Sequence, residues 1–274
     1  MKMPENNLCI IVIPVYKERM DKNELRSFIQ CIKVLGKHTI CFVTHKSLNI
    51  SEYKEYISSC HISVHLELFE ASYFKNLSGY NRLMLSKNFY ERFSDYKYIL
   101  IYQLDCYVFR DELYNWCYKD YDYIGAPWFN KFKSYEDGTD LWKVGNGGLS
   151  LRKTKTFIDV LNSKKNVYSI KRTYKINKLK EGSFFKFIRM VLTSYENNIT
   201  YLIKNWTDAE DIFFCLVLED TQLKIDTPNV EEAKYFAFEQ SPKFLLEKCN
   251  GILPFGCHAW SRYHYEDFWS KYIK

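Results

Sequence analysis

No two of the nine cysteines in these 274 residues form a CxxC pair, and none stands at zinc-ligand spacing. That absence excludes a zinc ribbon or finger. In a chain of this length an odd, scattered set of cysteines also argues against a disulfide framework. Several lie inside apolar runs, as in Ile40-Cys41-Phe42-Val43, where reduced, buried thiols of a cytoplasmic protein are expected. No apolar stretch reaches the roughly 18 residues of a membrane-spanning helix. The chain enters a short apolar strand, Leu8 to Ile13, almost at once, so no signal peptide is expected. No GxGxxG follows that strand, and Pro14-Val15-Tyr16 stands in its place, which removes the dinucleotide fingerprint. There is no internal repeat and no Pro/Ser-rich linker, so one domain over residues 1–274 is the preferred organisation.

Hydrophobic residues make up 47% and charged residues 26%, as in ordinary soluble proteins. Aromatics reach 18%, including 23 tyrosines. This excess reflects either compositional bias or walls suited to stacking on sugars or bases. The net charge of +6 is concentrated: residues 164–189 carry nine Lys or Arg against the single acid Glu181, leaving the rest slightly acidic. A nucleic-acid binder would be basic over a broader face, so no nucleic acid is expected as a partner. The basic stretch, beside Phe184-Phe185-Lys186-Phe187-Ile188, is either a solvated loop or a peripheral contact with an anionic membrane surface. If it is a contact, vesicles rich in acidic lipid will retain the protein at low salt, and failure to co-sediment removes the idea.

Strand-like and helix-like segments alternate through the first half. Strands are expected at Leu8–Ile13, Thr39–Val43, Ile62–Phe69 and Tyr98–Leu104. Helices are expected at Asn23–Leu35, Ser51–Ser58 with Ser51 as N-cap, and Leu83–Phe93. Further on, a short strand at Asp122–Gly125, a glycine cluster flanked by Trp142–Val144 and Leu149–Leu151, and helices at Lys153–Leu161 and Ala209–Leu218 follow. Alternation of this kind argues for an α/β fold with a mostly parallel sheet and helices on both faces. Its ligand crevice lies at the strand carboxyl ends, near Pro14, His45 and Asp105.

Four segments carry candidate chemistry. Asp105 closes the strand Tyr98–Leu104, and period-two alternation sets Gln103 and Asp105 on one side; Asp105 caps a turn or meets a ligand. Gly145-Asn146-Gly147-Gly148 is either a plain turn or a place where backbone approaches a ligand closely. Asp208-Ala209-Glu210-Asp211 precedes an apolar helix, where Thr207 or Asp208 could cap it and the acids complement its dipole, or where Asp211 serves as a base. His258, in Pro254-Phe255-Gly256-Cys257-His258-Ala259-Trp260, is either a satisfied core histidine or a ligand for a Mn²⁺-like cation. Moving a sugar from a nucleotide requires a hard cation at the departing diphosphate and a carboxylate at the acceptor hydroxyl, and these segments supply both.

In chain order the four resemble the working parts of GT-A-fold glycosyltransferases: a DxD-type metal motif, a glycine-rich loop, an xED segment carrying the base, and a C-terminal metal histidine. Ser78-Gly79-Tyr80-Asn81-Arg82-Leu83-Met84, Tyr123-Ile124-Gly125-Ala126-Pro127-Trp128 and Pro254-Phe255-Gly256-Cys257-His258 further resemble a bacterial family known mainly as a domain of uncharacterised function, over roughly residues 8 to 262. The resemblance implies a GT-A-like, Rossmann-type α/β fold with a nucleotide-binding half at about 8–128 and an elaborated acceptor half at about 129–274. It implies a metal-assisted, inverting glycosyltransferase acting from a nucleotide-sugar donor, a UDP-sugar first, onto a surface-glycan or lipid-linked acceptor. Asp105 and His258 would hold Mn²⁺ or Mg²⁺, and Asp211, beside Glu210, would be the general base. Pro14, Val15 and Tyr16 would lie near the base of the nucleotide, with Asn81 and Arg82 reaching its phosphates. Gln103 and Asp105 would face ribose and metal, and Asn146, Gly147 and Gly148 would shape the donor-sugar pocket. Trp128 or Trp260 would stack on a sugar or belong to the core. Gln103 departs from the motif, since its first position is uncharged. The alternatives are a nucleotidyltransferase, which normally carries a basic glycine-rich signature after the first strand, and an inactive carbohydrate-binding module.

Overall fold

The computed structural model describes residues 7–130, 140–168 and 197–274; most of the basic stretch therefore lies outside the described residues. Its centre is a six-stranded sheet in the order β3-β2-β1-β4-β9-β6. These are β1 (Cys9–Pro14), β2 (Thr39–His45), β3 (Val64–Phe69), β4 (Tyr98–Tyr102), β6 (Tyr123–Ile124) and β9 (Leu149–Lys153). The first four run parallel, and β9 is antiparallel to both β4 and β6. A small sheet joins β10 (Ala237–Phe238), β11 (Gly256–Cys257) and β5 (Tyr107–Val108), and β7 (Pro127–Phe129) pairs with β8 (Leu141–Val144).

Burial on both faces explains why the central strands are unbroken apolar runs. On β1, Cys9, Ile11 and Ile13 enter one core while Ile10 and Val12 enter the other. Tyr98, Leu100 and Tyr102 of β4 part from Ile99 and Ile101 in the same way. The first core is closed by α1 (Lys22–Leu35), α2 (Ser51–Ser59) and α5 (Leu113–Tyr118). The second is closed by α3 (Leu77–Met84), α4 (Lys87–Glu91) and α6 (Thr154–Leu161). Each fully buried aliphatic or aromatic side chain contributes about 1.5–3 kcal/mol, so the two faces together hold the sheet flat against its helices. Helix α1 begins with a capping box: Asp21 accepts the Asn23 and Glu24 N–H groups, and Glu24 accepts the Asp21 N–H. Its stripe of Phe28, Cys31, Ile32 and Leu35 fixes which face it presents.

Four sequence expectations change. The helix expected over Leu83–Phe93 is two helices, α3 and α4, parted at Leu85 and Ser86. Both lie on one face of the sheet, so their apolar spacing runs through the break. Ser51 does not cap α2; Ile50 occupies that position with no side-chain bond. Ala209, not Thr207 or Asp208, precedes the helix at Glu210, again without a side-chain cap, and after Ile212 that helix widens into a π-turn over Phe213–Val217. Finally, β4 stops at Tyr102, two residues before the expected end. Among the described residues no helix is long and apolar enough to cross a membrane.

Candidate functional site

The site begins where β4 stops. The Gln103 N–H still donates in register to the Gly148 carbonyl (3.0 Å), but the Gln103 carbonyl leaves the ladder and accepts the Cys106 N–H (2.9 Å), which closes a turn. Gln103 and Asp105 thus reach the site through a turn and not through strand alternation. Gln103 sits beside the Tyr80 hydroxyl, while Asp105 is carried over the sheet's carboxyl edge, the place an α/β sheet offers to ligands.

The glycine loop joins β8 to β9. Asn146 holds a left-handed φ of 73°, which Asn tolerates better than most residues. Its Oδ1 accepts the Gly148 and Leu149 N–H groups at 3.0 and 3.3 Å, and its carbonyl accepts the Tyr123 hydroxyl at 2.7 Å. A Cβ on Gly147 would lie 2.2 Å from Glu210 Oε1, and one on Gly148 would lie 2.1 Å from His258 Nε2. Both glycines are there because side chains from distant elements press against the loop backbone.

His258 follows β11 and is held by its own N–H on the Phe238 carbonyl (2.9 Å). Its Nε2 faces Asp105 Oδ1 at 3.3 Å. Its Nδ1 lies 3.0 Å from Glu239 Oε1 and 3.1 Å from Asn146 Nδ2. A carboxylate needs a donor there, so Nδ1 carries a proton toward Glu239 and the amide is merely adjacent. Burial opposes charging this ring, but the Asp105 and Glu239 carboxylates prevail and lift its pKa to about 10. Burial likewise pushes the Asp105 carboxyl up, and the His258 charge outweighs it, leaving Asp105 below its usual range.

Asp211 is 8% exposed. Its Oδ2 accepts the Gly147 N–H at 3.1 Å and its Oδ1 the Ile212 N–H at 2.8 Å. Burial, and then the neighbouring Glu210 charge, push its carboxyl up to about 7, the range useful to a base at neutral pH. Glu210 turns the other way, onto the wholly buried Arg152 (Nη2 to Oε1, 2.7 Å). Arg152 also donates to the Gly147 carbonyl, the Tyr90 hydroxyl and Ser150 Oγ.

Between these groups opens a cavity of about 500 Å³, lined by Trp128, Trp142, Asn146, Gly147, Asp211, Glu239, Gln240, His258 and Tyr263 among others. That volume suits a small organic ligand. Trp128 therefore stands at the cavity, whereas Trp260 is core: it is fully buried and donates to Ser27 Oγ. Pro14 ends β1 and Val15 is buried behind it. Tyr16 is half exposed with its hydroxyl on Glu24, and burial with the Glu24 charge, Asp105 adding a little, pushes it up to about 12. Asn81 and Arg82 do not open their helix but lie inside α3. Asn81 is buried and donates to the Asp208 carbonyl (3.3 Å), and Arg82 is exposed.

Glu239, Arg152 and Arg262 were not signalled. Arg262 is exposed, and its charge helps hold Asp105 low. Glu239 does follow the strand-end rule that flagged Asp105, but its strand, β10, is only two residues long.

Asp105 and His258 suit a divalent cation. Asp105 Oδ1 and His258 Nε2 are buried and have no hydrogen-bond partner beyond each other, and their 3.3 Å separation is one that two neighbouring ligands of an ion bound at about 2.1 Å can span. Glu239 on the far nitrogen is the carboxylate that metal-binding histidines commonly need to fix their orientation. Cys106 lies within the same cluster, but its thiol is pushed well up by burial and points at the Gly148 carbonyl (3.1 Å), so it is no ligand for a hard cation.

The model of a family described as "Protein of unknown function (DUF5672)" matches residues 63–258. No curated protein matches the chain. Among solved structures the chain is similar to core-mannan synthase A from Aspergillus fumigatus in its Mn/GDP form (12% identity, 55% of this chain and 60% of that one, TM-score 0.39). It is similar also to the apo form of glycosyltransferase GlyE from Streptococcus pneumoniae TIGR4 (11%, 92% and 54%, TM-score 0.43). A third is galactosyltransferase LgtC in complex with donor and acceptor sugar analogues (12%, 91% and 86%, TM-score 0.46). The chain spans less than two thirds of the first two. No residue role follows from likenesses this distant.

Proposed function

The chain belongs to the DUF5672 family, and we propose that it is a glycosyltransferase that moves a sugar from a nucleotide diphosphate donor to the hydroxyl of a glycan or lipid-linked acceptor. One observation carries the reading: Asp211 accepts the Gly147 N–H, and His258, whose Nε2 faces Asp105, packs against Gly148 of the same loop. Asp211 and His258 both line the cavity, with Asp105 behind His258, so a base and a cation would meet the same ligand.

Asp105 and His258 would hold Mn²⁺ or Mg²⁺, which when bound offsets the charge that develops on a departing diphosphate. Asp211 takes the proton of the acceptor hydroxyl onto a carboxylate oxygen. The freed acceptor oxygen bonds to the anomeric carbon, the bond from that carbon to the diphosphate breaks, and the nucleoside diphosphate leaves with the electron pair. One displacement without a covalent enzyme intermediate inverts the anomeric centre. Asn146 and Gly147 line the cavity that would seat the sugar, Gly148 lets His258 pack against the loop beside them, and Arg262 adds positive potential beside Asp105.

The test is binding followed by product analysis. UDP or GDP with Mn²⁺ at about a hundred times its dissociation constant should stabilise the fold by about 2.7 kcal/mol, a rise of about 5 °C in melting temperature for a domain of this size. Chelation should reverse the rise, and Asp105→Ala should abolish it. Turnover should release nucleoside diphosphate; pyrophosphate instead would indicate nucleotidyl transfer. A protein indifferent to both diphosphates, with or without Mn²⁺, would overturn the reading.

A further inference from the structure

Successive positions of the glycine loop mark an order across the site. A Cβ on Gly148 would strike His258, Gly147 donates its N–H to Asp211, and a Cβ on Gly145 would strike the Trp128 indole. Just before Gly145, on β8, stands Trp142. Leu141 pairs with Phe129 and Lys143 with Trp128, which leaves Trp142 as the extra residue of a β-bulge, a device that re-aims a side chain. Trp142 is 40% exposed and lines the cavity together with Trp128. Along this short backbone the order is cation ligand, base, indoles.

A base must lie within hydrogen-bond reach of the proton it takes. With the diphosphate on the cation side, the acceptor therefore reaches Asp211 from the indole end. The nucleotide has no hold there: none of Pro14, Val15 and Tyr16 lines the cavity. Around the indoles stand the polar groups of Asp211, Glu239 and Gln240. A pyranose matches both, with a C–H face for an indole and a rim of hydroxyls for the oxygens and the amide. An acyl chain would leave those polar groups unpartnered, and a Ser or Thr side chain has no flat face to cover an indole. We propose that the acceptor is itself a sugar, seated against Trp128 and the bulged Trp142 of the β7–β8 hairpin, which hold its hydroxyl toward Asp211. Such an acceptor presupposes the nucleotide-sugar reading above and narrows it: a terminal sugar, not a lipid chain or a peptide, meets the base.

The full chain, loaded with Mn²⁺ and whichever of UDP and GDP binds, is titrated by calorimetry with the methyl glycosides of glucose, galactose, mannose, rhamnose and N-acetylglucosamine. The titration runs to about 10 mM, beyond the usual range of KM, and a peptide containing Ser and Thr is run beside it. At least one glycoside should bind and the peptide should not. Trp142→Ala should weaken that glycoside at least about fivefold, the scale of one lost aromatic contact, and by more than it weakens the diphosphate. Trp142→Phe, which restores a flat ring, should recover most of the loss. If the diphosphate binds and none of the five glycosides does, or if the peptide binds in their place, the sugar acceptor is overturned while the donor reading stands. A loss under fivefold in Trp142→Ala, or no recovery in Trp142→Phe, overturns the role of the hairpin. Binding of neither diphosphate would instead sink the glycosyltransferase reading, and the sugar acceptor with it.

Discussion

Asp211→Asn should cut sugar transfer by roughly 10²–10⁴, the range supplied by a positioned general base, while Mn²⁺-dependent binding of the nucleoside diphosphate persists. The amide keeps the size of the side chain and one acceptor oxygen for the Gly147 or Ile212 N–H, so the loop stays close to its place while the proton acceptor is gone. The wild-type pH profile supplies a second handle. A base must be deprotonated to work, and Asp211 is raised to about 7. The value of kcat/KM should therefore fall about tenfold per pH unit below that point, whereas a carboxylate at its ordinary value would keep the rate flat down to about pH 5. In Asp211→Asn the residual rate should lose that acidic limb. Full activity in the variant, or an unchanged limb, would remove Asp211 as the base.

The sheet was legible because double burial turns β1, β2 and β4 into continuous apolar runs, and α1 because its stripe keeps a period of 3.6. Where an element ends depended on partners far away in the chain. Nothing near Tyr102 marks it as the end of β4; the ladder closes because the Asn146 side chain takes the Gly148 N–H that would have faced the Gln103 carbonyl, which accepts the Cys106 N–H instead. The break between α3 and α4 was hidden because Leu83, Met84, Phe89 and Tyr90 all face one core and keep a helical rhythm across it. In the site, Asp105, Asn146, Gly147, Gly148, Asp211 and His258 converge; the first five stood at an expected strand end, a glycine turn or a helix start, whereas His258 stood in an apolar, aromatic loop that fitted a core histidine as well as a ligand. Tyr16, Asn81 and Arg82 carry weaker marks: two spend their polar groups on Glu24 and the Asp208 carbonyl, and the third faces solvent. Arg152 was illegible, because a lone Arg within a strand normally points to water. Only Glu210, brought from 58 residues away, accounts for its burial.

That pairing makes Arg152 the residue whose loss should cost the fold most. Its side chain is wholly buried, and it satisfies Glu210, the Gly147 carbonyl, the Tyr90 hydroxyl and Ser150 at once, with the Tyr123 and Phe157 rings 5.6 and 5.7 Å from the guanidinium carbon. Arg152→Met should fill much of the volume yet leave Glu210 as an uncompensated buried charge, a defect worth about 3–5 kcal/mol out of a total stability of about 5–15 kcal/mol. Denaturant unfolding would show it as a lowered midpoint. Arg152→Met with Glu210→Gln should recover a large part of the loss, because the cost resides in the orphaned charge more than in the missing ion pair. A loss under about 1 kcal/mol in the single variant, or no recovery in the double, would refute this. The same guanidinium tempers Asp211, whose carboxyl is raised by Glu210 and lowered by Arg152. Protein surviving with Arg152→Met should therefore show its acidic limb displaced to higher pH, and the double variant should bring it back. A buried pair that never touches substrate would in this way set both the endurance of the fold and the pH at which its base can act.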